Sequence, residues 1–517
     1  MNEQINQAKF THLYQQTLNV LWAAALISLP FTSFPLLVNL TGAVVAPLAA
    51  IPIGLLIILW FIPYVLKRGS LPRETTPLLI FILFVLLSCT LAFFLEIPGF
   101  KGRSITDQEL RALVTLIIGF AFFLVFSTWP QDETRLITTY RWLNISGLII
   151  LIWTFIEAYY IFIQDYQYPN WMLTIQEWLV VQTPNFMFRG RRVMGFTYEA
   201  SWFAHQMIIL YIPLWLAATY QRTSAFQFRL LRLSVENILL GLGLALFFLA
   251  SPRIGLISFL LIIVFIFIKL NLSLLRRLVA FISHSRLFKF LPTQAPLQVS
   301  ATILITLLLL VGYVILLIGV IFFASRYDYR MELLVTDPPT WLEIKGFLTL
   351  DESVLLSLAH RLVFLERMVY WFTGWHIFND YPWFGVGLGN AGFFALKQTP
   401  AIGWASHEVR SILLYWPQLP NTKNLWVRLL AETGLVGFSA FFAWLVTLFN
   451  SARLTLQSKK SILVIFAFMG QLSLIALLGE GFSIDSFAMP YYWVAAGLIA
   501  SAGCVYRKQL RGLSQLP

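Results

Sequence analysis

Between Phe10 and Leu66 the chain carries no Lys, Arg, Asp or Glu. An uncharged run of that length can supply two membrane crossings of about 20 residues each, with a reversal near Asn39-Leu40-Thr41-Gly42. The run is too long, and lacks the cleavage site, of a removable signal. Similar charge-poor windows lie at 18–38, 43–66, 76–95, 112–130, 142–162, 200–220, 237–251, 254–269, 301–324, 426–450, 461–479 and 487–506. The windows 237–251 and 254–269 are split by Ser251-Pro252-Arg253, where proline favours a break. A tight hairpin with Arg253 at a membrane surface is expected there. Charged residues make up only 12% of the chain and the mean hydropathy is +0.77, whereas a soluble domain carries roughly 25% charge. The expected fold is therefore all-α: a polytopic integral membrane protein of about 12 transmembrane helices, with 1–517 forming one membrane domain.

Orientation follows from the cations. With both termini cytoplasmic, the loops on that side hold about 20 Lys and Arg and about 5 acids, mainly through the 220–235 and 270–290 connections. The net charge of +12 is then mostly cytoplasmic and suits anionic lipid heads. Its scatter over many loops argues against nucleic acid. Two connections on the other side are long, from about Gln164 to Glu199 and from about Arg326 to Lys423. The second makes 326–423 an extracytoplasmic loop subdomain between the ninth and tenth helices. Thr174-Ile-Gln-Glu-Trp-Leu-Val-Val181 in the first reads as a short interfacial helix.

Three groups of charges lie near span ends, where a charge lines a cavity or anchors at headgroups. The first is Arg189-Gly-Arg191-Arg192-Val-Met-Gly-Phe-Thr-Tyr-Glu199. The second is Arg253. The third holds His360, Arg361, Arg367, His376, His407, Lys423 and Glu432. Guanidinium groups gathered at one surface suit phosphate oxygens; headgroup anchoring is the alternative for each. Gly387-Leu-Gly-Asn-Ala-Gly392 matches G-x-G-x-x-G, but no βαβ pattern surrounds it, so a dinucleotide site is rejected. A tight turn or a backbone nest for an anion remains. His360, His376 and His407 lack short ligand spacing, so no metal site is expected. His205, inside a span, reads as a packed or hydrogen-bonded histidine. Cys89 and Cys504 lie in apolar runs and read as small packing residues. The loop residues Trp371, Trp375, Trp383, Trp404 and Trp416 suit either sugar stacking or ordinary packing.

The order of these pieces resembles the O-antigen ligase and polymerase family of bacterial envelopes. The resemblance covers roughly 190–450. It rests on Arg192-Val-Met-Gly-Phe196, Ser251-Pro-Arg253, Arg367-x-x-x-Trp371, Asp380-Tyr-Pro-Trp-Phe-Gly-Val-Gly-Leu-Gly-Asn390 and Asn424-Leu-Trp-Val-Arg-Leu-Leu-Ala-Glu432-Thr-Gly-Leu-Val-Gly437. It implies an all-helical glycosyltransferase of the bacterial inner membrane, without cofactor or essential metal. Such an enzyme moves glycan from a polyprenyl-diphosphate-linked donor on the outer leaflet to a sugar hydroxyl, on a lipid core or on another repeat unit. By motif position, Arg191 or Arg192, Arg253 and Arg367 would hold the diphosphate.

Ligase-like members carry His-Asn where this chain has Lys423-Asn424. A lysine of ordinary pKa near 10.4 is protonated and accepts no proton, so Lys423 reads as a further phosphate-binding cation, with Asn424 beside it. The general base is then sought among Glu432, Glu199, His376 and His407, with Arg192 and Arg253 stabilising the leaving group. This departure favours a polymerase over a ligase. The alternatives are a transporter or flippase of lipid-linked sugars, which should show acid–base pairs near the midplane, and a non-catalytic envelope assembly factor. No such acid–base pair stands out in the sequence.

Overall fold

The computed structural model describes residues 2–181, 191–250, 252–284 and 329–513, with scattered positions between 307 and 326. Most of the 301–324 window, Arg189 and Ser251 lie outside the described residues. The chain divides into two compact units, Met1–Gly255 with Leu365–Pro517, and Leu256–Phe364. The sequence-predicted loop subdomain 326–423 is thereby split at Leu365.

The first unit is helical, with one two-stranded hairpin pairing Arg229–Leu230 with Leu233–Ser234. Its helices run α1 (Asn2–Ile27), α2 (Pro35–Thr41), α3 (Ala50–Leu66), α4 (Thr75–Ala92), α5 (Ile105–Thr128), α6 (Glu133–Phe162), α7 (Asn170–Leu179), α8 (Ala200–Gln221) and α9 (Val235–Leu249). α10 (Arg253–His284) begins in it and continues into the second unit. There follow α11 (Tyr329–Thr336), α12 (Trp341–Thr349) and α13 (Glu352–Arg361). The first unit resumes with α14 (Leu365–Asp380), α15 (Leu425–Thr455), α16 (Ser461–Glu480) and α17 (Tyr491–Leu513).

Among the described residues, seven helices are long and apolar enough to cross a membrane: α4, α5, α6, α8, α15, α16 and the Arg253–Asn271 part of α10. This matches seven of the windows. The 18–38 window is not one helix: α1 ends at Ile27 and α2 starts at Pro35, with Pro30 in the intervening turn. A proline has no N–H to continue a helical ladder. The 43–66 and 237–251 windows form the shorter apolar helices α3 and α9.

Local chemistry sets the boundaries. Ser104, Asp132 and Ser234 cap α5, α6 and α9 by accepting the N–H of Asp107, Arg135 and Asn237 at 3.1, 2.9 and 3.3 Å, each cap worth about 1 kcal/mol. α3 and α8 each contain a π-helical turn, Ile57–Phe61 and Met207–Tyr211. Pro63 and Pro213 stand two residues after these turns. A proline ring clashes with the carbonyl four residues back, and widening the preceding turn moves that carbonyl away.

α17 packs along α5, α15 along α4 and α8 along α16. Lipid tails are as apolar as leucine, so helices associate through close van der Waals packing and small residues at the contacts. Fully buried Trp444 and Trp493 meet at 5.3 Å in this interior. Arg507 of α17 forks onto Glu74 at 2.8 and 3.0 Å, tying α17 to the start of α4.

Within the second unit, Thr340 and Glu343 form a reciprocal cap on α12. Arg361 is occupied by Asp337 and Glu343, each at 2.6 Å. Arg361 and His360 thus belong to this unit, apart from the rest of the third sequence group.

Candidate functional site

The two glycine-rich motifs bind each other. α15 is broken at Gly434, whose φ of 64° and ψ of −171° are non-helical. The break frees the carbonyls of Ala431 and Glu432 and the N–H groups of Leu435 and Val436. The segment 382–387 takes up all four. Val386 and Gly387 donate to Ala431 and Glu432, both at 3.0 Å, while Pro382 and Trp383 accept from Leu435 and Val436 at 2.8 and 3.2 Å. Ser88 of α4 seals the clasp by donating to the carbonyls of Phe384 and Glu432 at 2.6 and 2.7 Å. Gly385, Gly387 and Gly389 all have positive φ, and a Cβ at Gly385 would lie 2.5 Å from the Glu432 backbone. Asn390 closes the turn, donating to Glu109 at 2.8 Å and to the Val386 carbonyl at 2.9 Å. The glycines form a turn, and the Val386 and Gly387 amides in it are spent on α15.

The clasp fixes the first turns of α15, where the charged residues converge. Asn424 caps the helix: its Oδ1 accepts from the N–H of Trp426 and Val427 at 2.9 and 3.2 Å, while its Nδ2 is buried without a partner. Lys423, just before the cap, is held at φ 49°, an uncommon conformation for a residue with a side chain. Its ammonium meets Glu408 at 2.7 Å and lies 4.6 Å from the Tyr370 ring centre. Tyr370 also donates to Glu408, at 3.4 Å. Burial, and then the Glu408 carboxylate, push the Tyr370 hydroxyl far above its ordinary range.

One turn further on, Arg428 and Glu432 pair at 2.8 Å with side chains only 12% and 6% exposed. Arg428 also donates to the Asp485 carbonyl and lies over the Phe487 ring. Asp485 belongs to the 481–490 connection between α16 and α17, which is anchored to α15 by the Leu425 N–H on the Gly481 carbonyl at 2.7 Å. Arg367 reaches the same connection, donating to the Ser483 hydroxyl at 3.4 Å. Burial raises the Asp485 carboxyl above its ordinary range, opposed by Arg428, Lys423 and Arg367 and reinforced by Glu199. Arg367, Lys423 and Arg428 thus all act on Asp485 in the 481–490 connection.

Behind Asp485 lies a small, half-open cleft lined by Ser201, Trp202, His205, Glu480, Ser483 and Ser486 among others. His205 and Glu480 are 1% and 2% exposed, and Nδ1 of the histidine lies 3.3 Å from Oε2 of the glutamate. The outer atoms of both, Nε2 and Oε1, are buried without a partner.

The Arg192 segment is built separately. Glu157 of α6 accepts the N–H of Met194 and Gly195, the latter at 2.7 Å, and Gln176 of α7 donates to the Gly195 carbonyl at 3.1 Å. α7 is the sequence-predicted short helix, and Trp153 donates to the same Gln176 at 3.1 Å. Held this way, Arg192 donates through Nε to the Ala250 carbonyl at 2.8 Å. That carbonyl lies three residues before Arg253, the first residue of α10, so the break at Pro252 brings Arg192 beside the segment that carries Arg253. Arg191 is exposed and lies 3.9 Å from Asp165. Glu199 precedes α8 and accepts from Ser201.

His376 is nine residues along α14 from Arg367, about 13 Å at helical rise, and its Nδ1 meets the Gln398 carbonyl at 3.0 Å. His407 is exposed on a short helix and faces its neighbour Ser411 at 3.5 Å. Sequence reasoning passed over Arg428, Glu408, Asp485 and Glu480. Arg428 was visible at four residues' spacing from Glu432; the others lie in stretches with no motif.

No protein-family model matches this chain, and no curated protein matches it.

Proposed function

We propose that this chain is a membrane glycosyltransferase that moves glycan from a polyprenyl-diphosphate-linked donor to a sugar hydroxyl, on the outer leaflet of a bacterial inner membrane. In this reading both termini are cytoplasmic, the weaker apolar windows complete about 12 crossings, and the 481–490 connection faces outward. The observation that carries the proposal is the gathering of Arg367, Lys423 and Arg428 around Asp485 and a polar cleft at the ends of α15 and α16.

As the glycosidic bond breaks, negative charge develops on the diphosphate. Fixed guanidinium groups stabilise that charge most in the transition state. Arg428 and Lys423 pair with carboxylates; by motif position Arg192, Arg253 and Arg367 are the principal diphosphate cations in this reading. Exposed Trp375, Trp383 and Trp416 offer faces for sugar stacking.

Arg192→Ala and Arg253→Ala, each expressed in a strain lacking the chromosomal copy, should lower surface polysaccharide synthesis by about 10²-fold per substitution. Normal polysaccharide length and amount with both would end this reading.

A transporter or flippase of lipid-linked sugars is the second reading, favoured by the buried His205–Glu480 pair. The sequence alone had displayed no such pair. The pair sits at span ends, however: Glu480 is the last residue of α16 and His205 the sixth of α8. A transport site is expected near the midplane. Flipping of a lipid-linked oligosaccharide by the purified chain in vesicles, without glycan transfer, would establish the second reading over the first.

A further inference from the structure

The geometry points to His205 as the proton acceptor for the attacking sugar hydroxyl, with Glu480 as the positioning residue that holds its ring; this rests on the glycosyltransferase reading above. An ionised carboxylate only accepts hydrogen bonds. In the proposed state Glu480 Oε2, 3.3 Å away, accepts the hydrogen of His205 Nδ1, and Nε2 carries the lone pair.

Two observations place His205 at a site. Nε2 is buried with no hydrogen-bond partner, although buried polar atoms are nearly always paired. His205 and Glu480 line a cleft whose other polar walls are Ser201, Ser483, Ser486 and Asp485, and the cleft admits a group of about the size of a hydroxyl or a water. The cleft also adjoins the cations: Ser483 accepts from Arg367 at 3.4 Å.

The step balances as a displacement. The acceptor oxygen bonds to the anomeric carbon as the bond from that carbon to the diphosphate oxygen breaks. The bonding pair leaves with the diphosphate, and the hydroxyl proton passes to Nε2. Glu480 stabilises the resulting imidazolium, which returns the proton to solvent. This assigns the base to a residue of α8 where Lys423, paired with Glu408, is unable to serve.

The test uses membranes from the complemented strain, which supply their own donor, together with undecaprenyl diphosphate binding to the purified full-length chain. His205→Gln should slow transfer by 10²-fold or more, the usual contribution of a general base, with undecaprenyl diphosphate binding unchanged. Glu480→Gln should also lower kcat with binding kept. Among the described residues, the titratable groups around His205 are Glu480 on α16, Asp485 across the cleft and Tyr491 on α17. Unchanged transfer in His205→Gln, with Arg253→Ala inactive, overturns the assignment alone; unchanged transfer in both overturns the glycosyltransferase reading with it. Should His205→Gln not reach the membrane, Glu480→Gln decides by the same readouts: unchanged kcat overturns the assignment.

Discussion

Arg428→Ala should destabilise the chain by about 3–5 kcal/mol, the cost of leaving a buried charge without its partner. Arg428 faces Glu432 at 2.8 Å, and both side chains are largely withdrawn from water. It also holds the Asp485 carbonyl and covers Phe487. Its removal therefore unties α15 from the 481–490 connection as well as stranding a carboxylate. Replacing both members with apolar residues of similar volume, Arg428→Met with Glu432→Leu, should recover much of the loss, because the stranded charge is gone. Thermal unfolding in detergent of the two singles and the double gives the coupling energy, and a value near zero would sink the claim that the pair acts as a unit.

The same variant has a pH signature. The Asp485 carboxyl is raised by burial and lowered by Arg428, Lys423 and Arg367. A carboxyl raised in the folded state contributes stability that is fully present below its unfolded value, near 3.9, and is lost as pH rises through the folded value. Removing Arg428 raises the folded value further and deepens that loss. Arg428→Ala should accordingly be penalised more at pH 7 than at pH 5, relative to wild type. An equal penalty at both would mean that Asp485 does not feel Arg428.

The parts legible in the sequence were those that need no partner. The α4, α5, α6, α8, α15 and α16 spans follow from a scarcity of charge alone, and so does the break at Pro252. The proline-induced π turns in α3 and α8 are local too, but hydropathy does not register them. Contacts were illegible for the opposite reason. His205 and Glu480 lie 275 residues apart; read alone, His205 is a packed histidine inside a span and Glu480 a polar residue at the end of another. Glu432 was picked as a candidate base because its motif displayed it, yet its oxygen is occupied by Arg428, a residue of the same motif. Asn424 read as a ligand-binding residue, and its amide oxygen instead caps α15. The glycines of 385–389 were legible as a turn; that the turn is a plug for a broken helix depends on Gly434, which in an apolar run resembles any tolerated helical glycine.

Gly434→Ala should be as damaging as any substitution in the chain, with loss of the folded protein from the membrane. At φ 64° and ψ −171° the residue occupies a region open essentially to glycine only, costing other residues about 1–3 kcal/mol. The added Cβ would also lie 2.2 Å from the Trp383 carbonyl oxygen, a backbone atom that itself accepts from Val436. Neither side can yield without breaking the clasp, because Pro382, Trp383, Val386 and Gly387 are all bonded to the freed groups of α15. Gly241→Ala in α9, where nothing lies within 4 Å of the new methyl, is the matched control and should gain up to about 1 kcal/mol of helix propensity. Equal abundance and melting temperature for both variants would refute the clasp. A milder probe, Ser88→Ala, removes the donor that seals it and should cost about 1–3 kcal/mol. Glu432 stands two residues before the break and Arg428 six, so whatever loosens the clasp also displaces the buried pair that holds Asp485 against α15.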